Sequence, residues 1–154
     1  MRLRTKQRTT GTRDAAPEAM SKAIPTIQMY MTTSPHSVGR DQTLAHTQSF
    51  MRKHGLRHLP VLDGGQLVGI ITDRDMKMIE ALRDVDPRSL KVEEAMATSV
   101  FCVGPDAPLD SVVEEMAERK YGCAVVMDNR KVVGIFTTVD VCTALAELLR
   151  ARLR

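Results

Sequence analysis

The 154-residue sequence contains an internal repeat, and this repeat constrains the fold more than any other feature. A shift of 65 positions lays residues 27–76 on residues 92–141 without a gap. Such self-similarity at one fixed period predicts two copies of one supersecondary unit that stack on each other to bury a face. The identical pairs include Met31/Met96, Thr33/Thr98, Ser34/Ser99, Val38/Val103, Gly39/Gly104, Asp41/Asp106, Leu44/Leu109, Met51/Met116, Val61/Val126, Asp63/Asp128, Gly69/Gly134, Thr72/Thr137 and Asp75/Asp140.

An amphipathic helix is predicted early in each copy. The signal is clearest in the second copy, where the apolar residues of 109–117 recur at i, i+3, i+4, i+7 and i+8. Asp41 and Asp106 are the predicted N-caps, because a short acidic side chain can accept from the free N–H groups of a first turn. Gly55 is the predicted C-cap of the first copy's helix.

Each helix is followed by a predicted β-hairpin and a second helix. Turn residues between two short apolar runs indicate the hairpin. Thr72 and Thr137 each open the second helix, and an extended piece around Val38 or Val103 completes a β-α-β-β-α order. The predicted strands are 59–62, 67–71, 124–127 and 132–136, and the predicted second helices are 73–82 and 138–150. The fold class is therefore α/β (α+β), with two βαββα repeats.

Composition excludes several classes of function. No apolar run approaches the roughly 18 residues of a membrane span, so no membrane partner is expected. With no Trp, two Tyr and three Phe, the chain has few stacking platforms for single-stranded nucleic acid. Three widely separated cysteines favour buried thiols in a reducing cytoplasm over a disulfide framework.

Catalytic and metal-binding motifs were also sought. The sequence has no nucleophile elbow, no phosphate-binding Walker loop and no cluster of metal ligands, so we expect no enzyme. His54 and His58 are four residues apart, but Gly55 interrupts the helix between them and no third ligand is near. We therefore expect no metal site.

The basic character of the chain lies in its first 22 residues. They hold six basic and two acidic residues and show no hydrophobic period, so we expect a disordered tail. Three interpretations are open: the natural start is Met20, the tail is an arm for phosphate backbones or acidic partners, or it is an organelle transit peptide. Nucleic-acid binding rests on this tail alone and is not expected of the repeats.

The repeated pattern resembles the tandem CBS (cystathionine β-synthase) domain pair in stand-alone form. The resemblance gives a first repeat at 24–84 and a second at 90–150, packed as a pseudo-two-fold pair. The resemblance rests on a motif G-h-x-T-x-x-D (h, hydrophobic) that follows each predicted hairpin. One such motif is weak evidence for the family, whereas two at the repeat spacing are strong evidence. They are Gly69-Ile70-Ile71-Thr72-Asp73-Arg74-Asp75 and Gly134-Ile135-Phe136-Thr137-Thr138-Val139-Asp140.

The resemblance implies a non-catalytic regulatory module. Members of the family commonly bind AMP, ADP, ATP, S-adenosylmethionine or related adenosyl compounds in clefts between the two copies, and no cofactor is required. They often form homodimers and signal to an effector protein, whose identity stays open here.

The T-x-x-D motif has a chemistry of its own. A carboxylate can accept from both vicinal hydroxyls of a ribose, and a helix N-terminus attracts phosphate. Thr72 with Asp75, and Thr137 with Asp140, are thus candidate ribose-phosphate sites. The same spacing is nearly a capping box, which stabilises a helix by about 1 kcal/mol without any ligand; the two interpretations are compatible.

The two copies differ at the other positions that the resemblance assigns to ligand. Before the first hairpin, Arg57 can fork onto a phosphate and His58 can add a charge or a donor. The equivalents Gly122 and Cys123 offer neither, so the first site is expected to favour phosphorylated ligands and the second to be weaker, adenosine-like or empty. The resemblance places adenine near His36 and Phe101, although Phe101 taken alone fits a core residue.

Two functions remain open from the sequence. One is a sensor in which an adenosyl ligand changes the arrangement of the copies. The other is a ligand-independent dimerisation or docking module.

Overall fold

The computed structural model describes residues 23–153, and the predictions for the tail lie outside them. The strands are β1 (Thr32–Thr33), β2 (Val38–Gly39), β3 (His58–Asp63), β4 (Gln66–Thr72), β5 (Cys102–Val103), β6 (Cys123–Asp128) and β7 (Lys131–Thr137). The helices are α1 (Leu44–His54), α2 (Asp73–Glu80), α3 (Leu109–Arg119) and α4 (Thr138–Arg152). Single 3-10 turns span Ile27–Met29 and Val92–Glu94.

Both repeats fold as β-α-β-β-α, which confirms the predicted fold class. In the first, β2 runs parallel to β3, and β3 pairs antiparallel with β4. The second is equivalent, with β5 parallel to β6 and β6 antiparallel to β7. Both hairpin turns need two residues at positive φ, which the first repeat supplies with Gly64 and Gly65 and the second with Asn129 and Arg130.

The helix boundaries correct one prediction and confirm another. Asp41 and Asp106 are not N-caps, because α1 follows Thr43 and α3 follows Pro108, and a cap must directly precede its helix. Thr43 accepts a hydrogen bond from the His46 N–H at 3.1 Å instead. Gly55 is the C-cap, at φ 63°, as predicted. Helix α2 ends at Glu80, two residues earlier than expected.

The segment that leads into each repeat packs on the other repeat. These lead-in segments are residues 25–33 and 90–98. In the first, Thr26 bridges to Pro108, and Thr32 in β1 pairs with Ile135 in β7. The second mirrors it, since Lys91 bridges to Thr43 and Ala97 to Ile70. The first lead-in segment therefore adds strand β1 to the sheet of the second repeat, and the second pairs with the first repeat through isolated bridges.

Two hydrophobic cores result, and each is completed by the opposite lead-in segment. Ile27 is fully buried in the core of the second repeat, beside Met116 and Phe136. Val92 is fully buried in the core of the first, beside Met51 and Ile71. The repeats are thus interlocked. The boundaries 24–84 and 90–150 describe the repeats along the sequence and stay a prediction.

Equivalent glycines let the lead-in segments approach the last strand of each sheet. A Cβ on Gly69 would lie 2.7 Å from the Ala97 carbonyl oxygen and 2.6 Å from the Met96 sulfur. On Gly134 its three nearest neighbours would all be atoms of the Met31 side chain. A methionine side chain can shift, whereas the Ala97 carbonyl is fixed by the hydrogen bond from Ile70 N–H at 2.9 Å.

We expect Gly69→Ala to cost more stability than Gly134→Ala. Overpacking of this kind typically costs about 1–3 kcal/mol, and the backbone clash should put Gly69→Ala at the upper end. Urea unfolding of the two variants and the parent chain measures the difference. Equal losses would show that the carbonyl at position 97 yields as easily as the methionine.

No helix within residues 23–153 is long and apolar enough to cross a membrane.

Candidate functional site

The two T-x-x-D motifs form the predicted capping boxes at the starts of α2 and α4. Thr72 donates to Asp75 Oδ2 from its backbone N–H at 2.9 Å and from its hydroxyl at 2.8 Å. The Asp75 N–H donates back to Thr72 Oγ1 at 3.2 Å. Thr137 donates likewise to Asp140 Oδ2, from N–H at 2.8 Å and from its hydroxyl at 3.3 Å. The capping interpretation is therefore confirmed.

Capping leaves part of each carboxylate free for a ligand. The bonds that the two carboxylates accept all end on Oδ2, and no hydrogen bond found within residues 23–153 ends on Oδ1 of Asp75 or Asp140. Both aspartates are half-buried. Capping fixes the orientation of a carboxylate whose second oxygen can still accept.

A first cleft, the Thr137 cleft, combines residues of both repeats. It has a volume of about 620 Å³. It is lined by residues 32–36 and 55–58 of the first repeat and by Ile135 and residues 137–140 of the second. Asp140 thus lines the same groove as His36 and Arg57. The volume lies in the range of small-molecule sites, about 300–1,000 Å³.

A second cleft, the Thr72 cleft, lies at the equivalent motif of the first repeat. Its volume is about 580 Å³. Residues 57–58 and 72–74 with Lys77 line it from the first repeat, and Lys120 with Gly122 from the second. Asp75 is not among its described lining residues, although its box partner Thr72 is.

Arg57 and His58 belong to both clefts. The sequence predicts the pair at one site, whereas the structure places both residues in the walls of both. His58 is a partition between the clefts: its Nε2 would lie 2.8 Å from a Cβ on Gly122. The imidazole can sit there because Gly122 has no side chain.

Some predicted ligand residues lie outside the described clefts. Phe101 stacks on Tyr121 with ring centroids 5.2 Å apart and packs against the core of the second repeat. Cys123 lines neither cleft within the described residues. His36 does line the Thr137 cleft, and its ring packs against Phe50 and His54 at 5.3 and 4.4 Å.

Several cleft residues were missed from the sequence. In the Thr137 cleft these are the hydroxyl residues Thr32, Thr33 and Ser34. In the Thr72 cleft they are Arg74, Lys77 and Lys120. The repeat alignment contained a signal for Lys120, because a lysine there takes the place of the C-cap Gly55.

The surroundings of Cys123 and His58 favour the neutral forms of both side chains. Burial raises the pKa of Cys123 to about 12, with a further contribution from Cys102, which favours the neutral thiol. Burial lowers the pKa of His58, and the charge of Arg57 lowers it further, while Asp75 opposes both. Within residues 23–153 no three His, Cys, Asp or Glu side chains are placed to hold a metal ion.

The lowered pKa of His58 predicts a loss of stability in acid. The unfolded chain protonates this imidazole first, near its ordinary pKa of 6.5, so stability is present above that pH and falls as the pH drops toward the folded pKa. When the pH is lowered from 7.5 to 5.5, we expect the Tm of His58→Gln to fall less than the Tm of the parent chain, as measured by thermal unfolding. His46→Gln, an exposed control, should follow the parent; identical pH profiles for all three proteins would contradict the prediction.

Two interlocked βαββα units with a cleft at each T-x-x-D motif define a tandem regulatory pair. The family model for the CBS domain matches residues 20–80 and 92–147, and the chain belongs to that family.

Relatives support the same assignment. The CBS domain-containing protein YhcV of Bacillus subtilis is 29% identical over 110 residues, which are 71% of this chain and 78% of YhcV. The crystal structure of AcuB from Vibrio cholerae superposes with a TM-score of 0.76 at 29% identity, covering 84% of this chain and 96% of AcuB. The CBS domain pair of protein MJ0100, in complex with 5′-methylthioadenosine and S-adenosyl-L-methionine, superposes with a TM-score of 0.71 at 28% identity, covering 79% and 99%.

Proposed function

We propose that the chain is a non-catalytic sensor that binds an adenosine-containing ligand in the clefts between its repeats. One observation carries the proposal: the free Oδ1 of Asp140 and the start of α4 line the same cavity as Arg57 and His36, with a volume of about 620 Å³. The three cysteines are free, which fits action in the cytoplasm, although Cys102 and Cys142 are exposed and not buried as the sequence predicted.

Each part of an adenosyl ligand has a partner of fitting chemistry. The carboxylate of Asp140 can accept from the 2′ and 3′ hydroxyls of a ribose. Arg57, which lines both clefts, and the N–H groups at the start of a capped helix suit an anionic group of the ligand. The rings of His36 and Phe50 offer an aromatic edge for adenine beside the same cleft.

The relative with bound ligands favours this class of molecule. MJ0100 holds 5′-methylthioadenosine and S-adenosyl-L-methionine in its CBS pair. On this basis we take AMP, ADP, ATP and S-adenosylmethionine as the candidate ligands.

A homodimer is the proposed signalling form. Helix α4 exposes four large apolar side chains, and α2 with the residues after it exposes two more. Apolar surface of this extent on helices marks an association site, and a second copy of the chain offers the same surface. The residues are Val139, Leu145, Leu148, Leu149, Met78 and Leu82. Sedimentation of the parent chain should show a dimer, and Leu149→Glu should dissociate it. A monomeric parent chain would exclude the homodimer.

The sensor requires a ligand that prefers one arrangement of the repeats or of the dimer over another. An effector protein would then recognise the favoured arrangement. The competing proposal is a docking module without ligand, and the same apolar surface supports it.

Thermal unfolding separates the two proposals. The chain is titrated with AMP, ADP, ATP, S-adenosylmethionine and adenosine. Ligand at a hundred times its Kd adds about 2.7 kcal/mol, which raises Tm by roughly 5–10 °C for a chain of this size. A response to at least one compound supports the sensor. No shift with any of them, together with an unchanged dimer, leaves the docking module.

A further inference from the structure

The two clefts differ in charge. The Thr72 cleft is lined by four cationic side chains and the single carboxylate of Asp73, which pairs with Lys77 at 2.9 Å. Arg57, Arg74 and Lys120 make no ion pair among the described residues. The Thr137 cleft has one guanidinium, that of Arg57, and one carboxylate, that of Asp140. Only the Thr72 cleft therefore has a clear excess of positive charge.

Lys120 contributes to this excess from a costly backbone conformation. It is the C-cap of α3 at φ 57°, in the left-handed region that disfavours side chains other than glycine. The first repeat has Gly55 at the equivalent place, with φ 63°. Backbone strain of this kind clusters at functional sites, and here the strained residue lines a cleft.

Packing does not explain the lysine. A Cβ added to Gly55 would meet nothing within 4 Å, so only the left-handed backbone, and no neighbouring atom, disfavours a side chain at this site in the fold. Lys120 is exposed and forms no ion pair within residues 23–153. What distinguishes the two positions is the cleft each one lines: the Thr72 cleft for Lys120 and the Thr137 cleft for Gly55.

We propose that Lys120 makes the Thr72 cleft the site for phosphorylated adenosine nucleotides, and that the Thr137 cleft takes adenosyl ligands without phosphate. This inference rests on the proposed function. Its chemical basis is that each added phosphate gains from the ammonium and guanidinium groups of the Thr72 cleft. In the Thr137 cleft the charges of Arg57 and Asp140 offset each other, and the neutral hydroxyls suit a ribose.

The test is calorimetric titration with adenosine, AMP, ADP and ATP. In the parent chain the affinity of the Thr72 cleft should rise with each phosphate. Lys120→Gly should weaken ATP binding roughly 10- to 100-fold, the loss of one charge-assisted contact. It should leave adenosine binding unchanged and raise the Tm of the unliganded protein, because the left-handed strain is relieved. Lys131→Ala, which removes an exposed lysine outside both clefts, is the control.

A reciprocal variant tests the same idea by gain of binding. Gly55→Lys should create a second ATP site in the Thr137 cleft, so that the stoichiometry rises from one ATP to two per chain. The inference is overturned if Lys120→Gly weakens ATP and adenosine equally or affects neither, or if ATP and adenosine compete for one site in the parent chain. Binding of neither compound by the parent would remove the proposed function, and this inference with it.

Discussion

Replacing Asp140 by alanine should weaken adenosine binding about 100-fold. The carboxylate is the one acceptor in the Thr137 cleft that is both oriented by its capping box and free on Oδ1. Two hydrogen bonds from a ribose to a charged acceptor are worth about 3 kcal/mol together at the lower end of their range. That free energy corresponds to roughly two orders of magnitude in Kd.

A matched ligand isolates the ribose contact. In the parent chain, adenosine should bind more tightly than 2′-deoxyadenosine, and Asp140→Ala should abolish that preference. Loss of the cap alone would lower stability by about 1 kcal/mol without changing the preference. Asp110→Ala serves as the control, since Asp110 lies in the first turn of α3 away from both clefts. A preference for adenosine that survives in Asp140→Ala would place the ribose elsewhere.

The second large effect is expected at Ile27, which lies in the first repeat by sequence and in the second repeat by packing. The side chain is fully buried among Leu109, Met116 and Phe136. Truncation of such a residue to alanine costs about 2–5 kcal/mol through lost burial and the cavity left behind. We expect Ile27→Ala to lower Tm by about 10 °C.

The control lies three residues earlier. Ile24 is 57% exposed, so Ile24→Ala should leave the unfolding midpoint almost unchanged. Because Ile27 and Val92 connect the two cores, each variant should also unfold in a single transition. Two separated transitions, or a small loss for Ile27→Ala, would show that the repeats fold independently.

Much of the fold could be predicted because its signals are local or repeated. The hairpins follow from turn residues between apolar runs, and the turn of the second repeat confirms the reasoning, since Asn129 and Arg130 adopt the positive φ that Gly64 and Gly65 adopt in the first. The capping boxes follow from a spacing of three residues. Each of these features is determined by neighbours along the chain.

The crossing of the lead-in segments could not be predicted, because its partners are distant in sequence. Thr32 pairs with Ile135, and nothing near Thr32 specifies that strand. Asp41 and Asp106 were wrongly predicted to cap α1 and α3, because the sequence does not distinguish an N-cap aspartate from a loop aspartate until the first helical residue is known. A β1 of two residues carries too little pattern to be recognised.

The composition of the clefts was predictable only in part. The sequence identifies Thr137 and Asp140 by their motif, but it cannot show that they face Arg57 and His36 of the other repeat. Lys120 belongs to no sequence motif. It is distinguished by the left-handed backbone conformation that it shares with Gly55.

The exchanged lead-in segments have a mechanical consequence. The connector between the repeats is largely exposed at 81–84 and contains Arg83, a site where trypsin can cut. After such a cut, the amino-terminal fragment still holds Ile27 in its neighbour's core, and the other fragment still holds Val92. The nicked chain should therefore migrate as one particle, because buried surface couples its two halves even when no peptide bond joins them.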